Sequence, residues 1–261
     1  MTHLLNTIDS LVPMLSEGYE VRITRDPRDV AAAQRLRYRV FYDEMGARPC
    51  ARVAASGADA DAFDALCDHL VVLADGEVIG TYRLIRREAA DQAGGFYSAA
   101  EFDIAPLLNQ SGEILELGRS CIDPHWRNRG ILQLLWQGLA SYIVHHGIDL
   151  LFGCASLPGT DIGALAPQLA YLRDHHMAAP ALRARPLGTT AVDIAGLAAA
   201  VDARQAFVSL PPLVKGYLRA GGGISDGAVI DHQFNTTDML MVLNTAGIAS
   251  RYQRRYAQAG A

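Results

Sequence analysis

The chain has 261 residues, of which 50% are hydrophobic and 20% are charged, so it can bury a full core without disulfides or a structural metal. This composition excludes a disordered, collagen-like or coiled-coil protein. The 23 basic and 28 acidic residues give a net charge of −5, which argues against a nucleic-acid partner.

The cysteine spacing and the hydropathy pattern indicate where the protein works. Its four cysteines are far apart and form no CxxC pair, which argues against a zinc site or a secreted disulfide framework. No apolar run reaches the roughly 18 residues of a membrane span, and the N-terminus lacks the basic region of a signal peptide. We therefore expect a cytoplasmic protein that at most rests on a membrane surface.

The first elements alternate between helical and extended patterns. Residues 1–16 place apolar side chains at helical spacing, which predicts an amphipathic helix that either packs on the core or lies on a membrane. Residues 19–24 alternate like a strand, and Asp26-Pro27 then begins a helix that ends at Gly46. Residues 47–62 are rich in Ala, Gly and Asp and predict a mobile loop.

A hairpin and a strand–turn–helix unit follow. The apolar strands CDHLVVLA and EVIGTYRLIR are joined by Asp75-Gly76, a pair that accepts the positive φ of a tight turn. A short helical region, FYSAAEFDIAPLL, precedes the strand EILELGRSCID. Residues 124–128 break this strand, after which GILQLLWQGLASYIVHH predicts a helix and DLLFGCASL a buried strand.

The last third of the chain completes the set. Residues 161–210 predict a helical insertion or lid, PPLVKGYLRAGG a short helix, and GAVIDHQF and TDMLMVL two strands. Because no repeat or low-complexity linker interrupts the chain, we predict one domain over residues 19–245, between a helix at 1–18 and a tail at 246–261. The fold class is α/β (α+β), with a central mixed twisted sheet flanked by helices.

The turn from Arg127 to Gly130 lies at the start of the long helix, where unpaired N–H groups and the helix dipole favour a phosphate. This arrangement resembles the GNAT N-acyltransferases, whose Q/R-x-x-G-x-G/A turn holds the pantetheine phosphate of an acyl thioester. Leu132 stands where that family usually has Gly or Ala, which disfavours coenzyme A more than an acyl carrier protein with its single phosphate. We expect Arg127, Asn128, Arg129 and Gly130 to bind the acyl donor.

Two further resemblances narrow the family. One set of residues resembles the acyl-homoserine lactone synthases, a GNAT-like group that uses acyl carrier proteins, but their usual tryptophan is Ala47 here, which counts against signal synthesis. Longer motifs over roughly residues 20–245 resemble the ornithine N-acyltransferases that make lyso-ornithine lipid. The first set is Arg37, Phe41, Asp61, Asp64, Gly80–Leu84 and Glu116–Arg119. The longer motifs are FDALCDHLVV, ELGRSCIDPHWRN, LLFGCASLPGTD and LPPLVKGYLRAGGGISDGAVIDHQFNTTD.

The second resemblance implies transfer of a 3-hydroxyacyl group from acyl carrier protein to the α-amine of L-ornithine, the first step of ornithine lipid synthesis. The acyl-phosphopantetheine arm is then a co-substrate, with no tightly bound cofactor and no metal. The partners are acyl carrier protein and ornithine, and the amphipathic product implies peripheral contact with the inner membrane. Two alternatives stay open: an acyl-homoserine lactone synthase, and a non-catalytic module that docks carrier protein or membrane.

Transfer requires the α-ammonium group to lose a proton, so a base would help. Glu116, on the central strand, is either this base or a structural partner of Arg119. Arg119 and Arg83 are candidates to bind the acceptor's carboxylate, or pair with Asp64 or Glu116 instead. Tyr217 is a candidate to protonate the departing thiolate.

The remaining candidates have a substrate role and a structural one. Asp61, Asp64 and Asp68 either bind the acceptor's second ammonium group or are loop charges and turn caps. Arg37 either contacts substrate or forms an internal ion pair. Cys154 lies in an apolar strand, and we predict a buried, inert thiol there rather than an acyl-cysteine nucleophile.

Overall fold

A computed structural model describes residues 14–16, 18–127, 129–197 and 202–246. Most of its strands are those that the apolar patterns predict, with short additional ones between them. The strands are β1 Met14–Ser16, β2 Tyr19–Thr24, β3 Asp68–Ala74, β4 Glu77–Arg86, β5 Phe102–Asp103, β6 Glu113–Ile122, β7 Ile148–Pro158, β8 Arg185–Pro186, β9 Ala191–Val192, β10 Gly223–Ile224, β11 Ala228–Asp231 and β12 Thr236–Asn244.

The helices begin and end where local sequence signals place them. Asp26 caps the first helix by accepting a hydrogen bond from the backbone N–H of Arg28 at 2.7 Å, and Gly147 ends the long helix with a φ of +59°. The helices are α1 Pro27–Tyr38, α2 Ala51–Ser56, α3 Arg87–Ala93, α4 Ala105–Leu108, α5 Ile131–His146, α6 Ile162–His175, α7 Ala203–Ser209 and α8 Pro212–Arg219; a π-helical turn, Arg39–Glu44, continues α1.

Within the described residues, ten strands form one mixed sheet in the order β1-β2-β3-β4-β6-β7-β12-β11-β9, with β10 also paired to β12. The predicted hairpin between β3 and β4 is confirmed, and Asp75 and Gly76 have φ values of +50° and +81°. Helix α5 packs its apolar face on the sheet through Leu135, Leu139 and Tyr142, all of which are buried in the main core cluster. The mixed sheet flanked by helices matches the predicted fold class.

The strands β6 and β7 diverge halfway along their length. They pair in parallel only where Glu113–Glu116 meets Ile148–Phe152, although β6 continues to Ile122 and β7 to Pro158. Gly153 lies at the point of divergence, where an added Cβ atom would clash with the carbonyl oxygen of Leu117. A fork therefore opens in the middle of the sheet, and glycine allows the close approach at its apex.

Three predicted segments differ from the observed ones. Residues 14–16 form β1, which pairs with β2, instead of the end of a helix; residues 1–13 lie outside the described part. The predicted mobile loop at 47–62 contains α2 and buries Asp59. The predicted insertion at 161–210 is helical at α6 and α7, but a 3-10 turn and two short strands lie between them.

The predicted boundaries at 18 and 246 stay predictions, because residues 1–13 and 247–261 are outside the described part. Among the described helices, none combines the length and the apolar character that a bilayer crossing requires.

Candidate active site

The fork between β6 and β7 opens into a cavity of about 620 Å³. One wall is formed by the last residues of β6 and the other by Cys154–Pro158 of β7, and the start of α8 and the π-helical turn line it as well. The cavity exists because the two parallel strands stop pairing after Glu116. An extended substrate arm can therefore lie between strands that still expose backbone N–H and C=O groups.

A β-bulge turns Arg119 toward this cavity. In the pairing of β4 with β6, Arg83 lies opposite Gly118 and Thr81 opposite Cys121, so two residues of β6 oppose Tyr82 alone. Arg119 is one of these two residues and has a φ of +52°, which is uncommon for a residue with a side chain. Strained backbone of this kind concentrates at functional sites.

The Arg119 guanidinium lies between two aromatic rings and near two carboxylates. The Cζ atom of Arg119 is 4.7 Å from the ring centres of both Tyr97 and Phe234. Its Nε atom donates to Asp59 Oδ2 at 3.1 Å, and Nη2 lies 3.5 Å from Asp61 Oδ2. These contacts hold the guanidinium plane in place at the wall of the cavity, which Arg119 lines.

Arg83 also lines the cavity, and its Nη1 atom donates to Asp61 at 2.6 Å and to Asp64 at 3.2 Å. Arg37, by contrast, is 1% exposed and lies behind the wall, paired with Asp64 at 2.7 Å and with Asp59 at 2.9 Å. Burial favours the neutral form of Asp64, but Arg37 and Arg83 outweigh it and hold the pKa of this carboxyl below its usual range.

Three of the candidate substrate contacts, Arg37, Asp64 and Asp68, lie away from the cavity. Arg37 and Asp64 form an internal ion pair that supports Arg83, so the structural alternative is the one observed. Asp68 is buried away from the cavity, where it accepts hydrogen bonds from Arg25 at 2.6 Å and from the Tyr142 hydroxyl at 2.5 Å. These three groups do not line the cavity, whereas Arg83 and Arg119 do.

Glu116 lies at the base of the fork and supports the turn at residues 97–100. Its carboxylate accepts the backbone N–H groups of Tyr97 and Ser98, each at 2.7 Å, and also the Ser98 hydroxyl. Burial raises its pKa, which these hydrogen bonds oppose. Of the two alternatives, the contacts describe a structural partner, and the group it holds is this turn rather than Arg119. A base role for Glu116 stays a prediction.

Tyr217, from α8, reaches the cavity beside Tyr82. The two hydroxyl oxygens are 2.9 Å apart, and the Tyr217 ring packs edge-to-face on Trp136. Burial raises the pKa of Tyr217 well above its ordinary value, and Tyr82 raises it further. The hydroxyl is therefore protonated at neutral pH, as a proton donor must be, and its catalytic role stays a prediction.

The predicted donor-binding turn lies at the open side of the cavity. Gly130, with a φ of +76°, precedes the first residue of α5, and Arg127 and Leu132 line the cavity. Arg127 makes a bidentate ion pair with Glu44, with N–O distances of 2.5 and 2.6 Å. Arg129 instead lies 4.8 Å from the Trp126 ring centre and does not line the cavity. Asn128 lies outside the described residues.

Sequence reasoning missed a cluster of polar groups on the opposite wall. Glu101, Cys154 and Asp238 bring one potential ligand atom each to within 4.8 Å of one another. Cys154 lines the cavity and its Sγ atom lies 3.3 Å from Glu101 Oε2. The sequence signal was Asp238, the only charged residue of β12, whose other buried members are apolar or bear hydroxyls.

The comparisons with known proteins agree with this fold. The profile of the family described as Acetyltransferase (GNAT) domain matches residues 36–137. The solved structure of FeeM, an N-acyl amino acid synthase from uncultured soil microbes, superposes with a TM-score of 0.52 at 13% identity, covering 93% of this chain and 94% of that one. These two findings confirm the GNAT-like fold.

Several relatives are similar over nearly the whole chain, and three of them are each named L-ornithine N(alpha)-acyltransferase. The protein of Rhizobium meliloti is 42% identical, covering 92% of this chain and 85% of that protein. The protein of Brucella abortus is 44% identical, covering 91% and 88%. The protein of Rhodobacter capsulatus is 39% identical, covering 92% and 95%.

Proposed function

The chain belongs to the L-ornithine N(alpha)-acyltransferase family, and from this premise we propose that it moves a 3-hydroxyacyl group from acyl carrier protein to the α-amine of L-ornithine. The product is lyso-ornithine lipid. Membership of this family makes the chain an N-acyltransferase, which argues against the non-catalytic docking module. Family membership also favours ornithine acylation over lactone synthesis. Ala47 supports the same choice, because the lactone synthases usually have a tryptophan at this position.

The observation that carries the proposal is the fork. Its cavity is continuous from Arg127 and Leu132, at the start of α5, to Arg83 and Arg119 on the far side. A phosphopantetheine arm whose phosphate lies at the N-terminus of α5 would run along the unpaired part of β6. Its thioester would then lie near Arg119, where an amino acid carboxylate finds a guanidinium edge.

In the proposed reaction the free α-amine attacks the thioester carbonyl carbon, a C–N bond forms and the C–S bond breaks. The ammonium group loses one proton to a base or to water before the attack, and the nitrogen loses a second proton as the amide forms. The departing thiolate takes up one proton, and we propose the Tyr217 hydroxyl, which lines the cavity, as its donor. Burial raises the pKa of Cys154 well above its ordinary value, so this thiol stays protonated. This favours direct transfer over an acyl-cysteine intermediate.

The single phosphate of a carrier-protein arm fits the donor turn, since Arg127 is the guanidinium of that turn that lines the cavity. The Glu44 carboxylate now paired with Arg127 would be replaced by the donor phosphate. The amphipathic product is the reason to propose a cytoplasmic enzyme in peripheral contact with the inner membrane.

Purified protein incubated with L-ornithine and 3-hydroxyacyl carrier protein should form an N-acyl-ornithine that mass spectrometry detects. Parallel reactions with the matching acyl-coenzyme A, and with S-adenosylmethionine in place of ornithine, test the donor and the lactone alternative. Formation of a lactone, or no acylated amino acid with any basic or amide acceptor, would contradict the proposal.

A further inference from the structure

Three chain segments far apart in sequence bring polar groups to one wall of the cavity. Asp238 on β12 lies opposite Ser156 of β7, and Leu240 lies opposite Cys154, so Asp238 and Cys154 occupy the same face of the two paired strands. Glu101 follows the turn at residues 97–100 and is reached by the Cys154 thiol at 3.3 Å. Asp238 and Cys154 line the cavity, and Glu101 lies next to them without lining it.

Part of the hydrogen-bonding capacity of this wall is not used within the described residues. Asp238 is 7% exposed, and its Oδ1 atom has no hydrogen-bond partner there. The hydroxyls of Ser156 and Thr236 lie close to this carboxyl, but neither makes a hydrogen bond to Oδ1. A buried acceptor without a donor is costly, so this oxygen indicates the place of a ligand that supplies N–H groups.

The charge on this wall is also uncompensated. On the opposite side of the fork, three arginines form salt bridges with three aspartates, so their charges balance. The arginines are Arg37, Arg83 and Arg119, and the aspartates are Asp59, Asp61 and Asp64. No salt bridge joins Glu101 or Asp238 to a basic side chain in the described parts of the chain. A cationic ligand therefore fits this wall, and an anion does not.

We propose that Glu101 and Asp238 form a subsite for an organic ammonium group, the side-chain amine of the acceptor, and thereby select diamino acids over amino acids with apolar side chains. This inference rests on the proposed function, because it assigns the residues that bind the side-chain amine of the acceptor. An ammonium group presents three N–H donors, which match Asp238 Oδ1, Thr236 Oγ1 and the Glu101 carboxylate. The guanidinium edge of Arg119, across the cavity, holds the carboxylate of the same molecule.

The protonation of the empty cluster is consistent with this role. Burial and, after it, the charge of Asp238 raise the pKa of Glu101 to about 7, although the Cys154 thiol and Arg119 oppose the shift. Burial raises the pKa of Asp238 to about 6, against the hydroxyls of Ser156 and Thr236, and Asp231 adds repulsion to both carboxyls. Binding an ammonium group would therefore release protons near neutral pH. Since the Cys154 thiol is protonated, it donates to Glu101 and is a poor metal ligand.

The test compares L-ornithine with L-norvaline, which has the same carbon chain without the terminal amine, using one acyl donor. We expect Asp238→Asn and Glu101→Gln each to lower kcat/KM for ornithine about tenfold or more, mainly through KM, and to leave kcat/KM for norvaline unchanged. The matched control is Asp91→Asn, which removes an exposed carboxylate on α3 and should keep the ornithine preference.

Equal losses with both acceptors would overturn the proposal, because the carboxyls would then serve the chemistry or the fold. An ornithine preference that chelation abolishes and a divalent metal restores would overturn it too. If no amino acid is acylated, the proposed function fails by itself. Calorimetric titration with ornithine and norvaline, in two buffers of different ionisation enthalpy, then still tests the subsite. We expect ornithine to bind more tightly than norvaline and to release protons on binding, and we expect Asp238→Asn to remove both effects. Should Asp238→Asn not fold, Glu101→Gln gives the same comparison.

Discussion

At the residue scale, Arg119 shows how one side chain is held in a fixed orientation at the cavity wall. Its backbone has a φ of +52° at a bulge, and its guanidinium is held between the rings of Tyr97 and Phe234. Asp59 and Asp61 fix one edge of the plane. Arg119 lines the cavity, and a planar guanidinium can bind a carboxylate with two parallel hydrogen bonds.

Arg119→Lys keeps the positive charge but removes this planar guanidinium. We expect kcat/KM for ornithine to fall about tenfold or more, mainly through KM, because a lysine cannot stack between two rings and bind in bidentate fashion. Steady-state kinetics with a fixed acyl donor measures this. Arg28→Lys, at an exposed position on α1, is the control; an Arg119→Lys enzyme with unchanged KM would show that the guanidinium does not bind the acceptor.

The substitution Glu116→Gln distinguishes a catalytic base from a residue that only stabilises the turn at residues 97–100. The side-chain amide would turn an N–H donor toward the backbone N–H groups of Tyr97 and Ser98, so we expect a loss of about 1–3 kcal/mol in the free energy of unfolding. Activity should fall with the turn that carries Tyr97, while the pH profile of the remaining activity keeps its shape. A stable variant whose pH profile loses its basic limb would instead identify Glu116 as the base.

At the scale of elements, the site is the consequence of how two strands part. β6 and β7 pair over their first few residues and then diverge, and Gly153 permits the contact with Leu117 at the apex. The bulge opposite Tyr82 adds twist to β6 at the same level. The divergence of the two backbones therefore creates the cavity, and side chains from both strands line its two walls.

Gly153→Ala should disturb this apex. Its Cβ atom would clash with the Leu117 carbonyl oxygen, so one strand must shift, and we expect the free energy of unfolding to fall by about 1–3 kcal/mol. Chemical denaturation measures the change. Gly118→Ala is the matched control, because its added Cβ atom meets nothing within 4 Å. Equal stability of the two variants would mean that the apex tolerates a wider spacing.

At the scale of the whole molecule, the cavity has walls of different charge. Arginines from β4 and β6 lie on one side, neutralised by aspartates of the segment after α2. Carboxyls from the turn region and β12 lie on the other side, where no cation is paired with them among the described residues. A bifunctional acceptor matches this division. The empty protein then carries buried acids that cost folding free energy whenever they are ionised.

This cost predicts a pH dependence of stability. Because Glu101 and Asp238 have raised pKa values, about 7 and about 6, the folded protein keeps protons that the unfolded chain loses above about pH 4. The free energy of unfolding therefore falls as pH rises from about 4 to about 7 through these groups. His146 acts in the opposite sense, since burial lowers its pKa to about 4 and its contribution is lost as pH falls below about 6.5.

Replacing either acid by its amide should remove this penalty. Glu101→Gln and Asp238→Asn are expected to be more stable than the unchanged protein at about pH 8, by about 1–3 kcal/mol, and to differ little at about pH 4. Thermal unfolding across this range in the absence of acceptor measures it. Destabilisation at about pH 8 would show that these carboxyls are satisfied within the fold.

Local sequence signals were sufficient to predict most elements and the family. Asp26-Pro27, Asp75-Gly76 and Gly147 set the beginnings and ends of their helices and turns, because caps and positive φ angles depend on local chemistry. Alternating and continuous apolar runs predicted the long strands in the same way. The long motifs identified the ornithine N-acyltransferase family. The two arginines predicted to bind the carboxylate of the acceptor, Arg83 and Arg119, line the cavity.

Which charged groups face the cavity depends instead on contacts between distant segments. Arg37, Asp64 and Asp68 have the same residue types as the charged groups that line the cavity, yet they are paired with other side chains and do not line it. Asp238 lines the cavity and lies close to Glu101 although the two are far apart in sequence, because β12 pairs antiparallel with β7 and the Cys154 thiol on β7 contacts Glu101. Pairing and burial follow from long-range strand register, which no local pattern encodes.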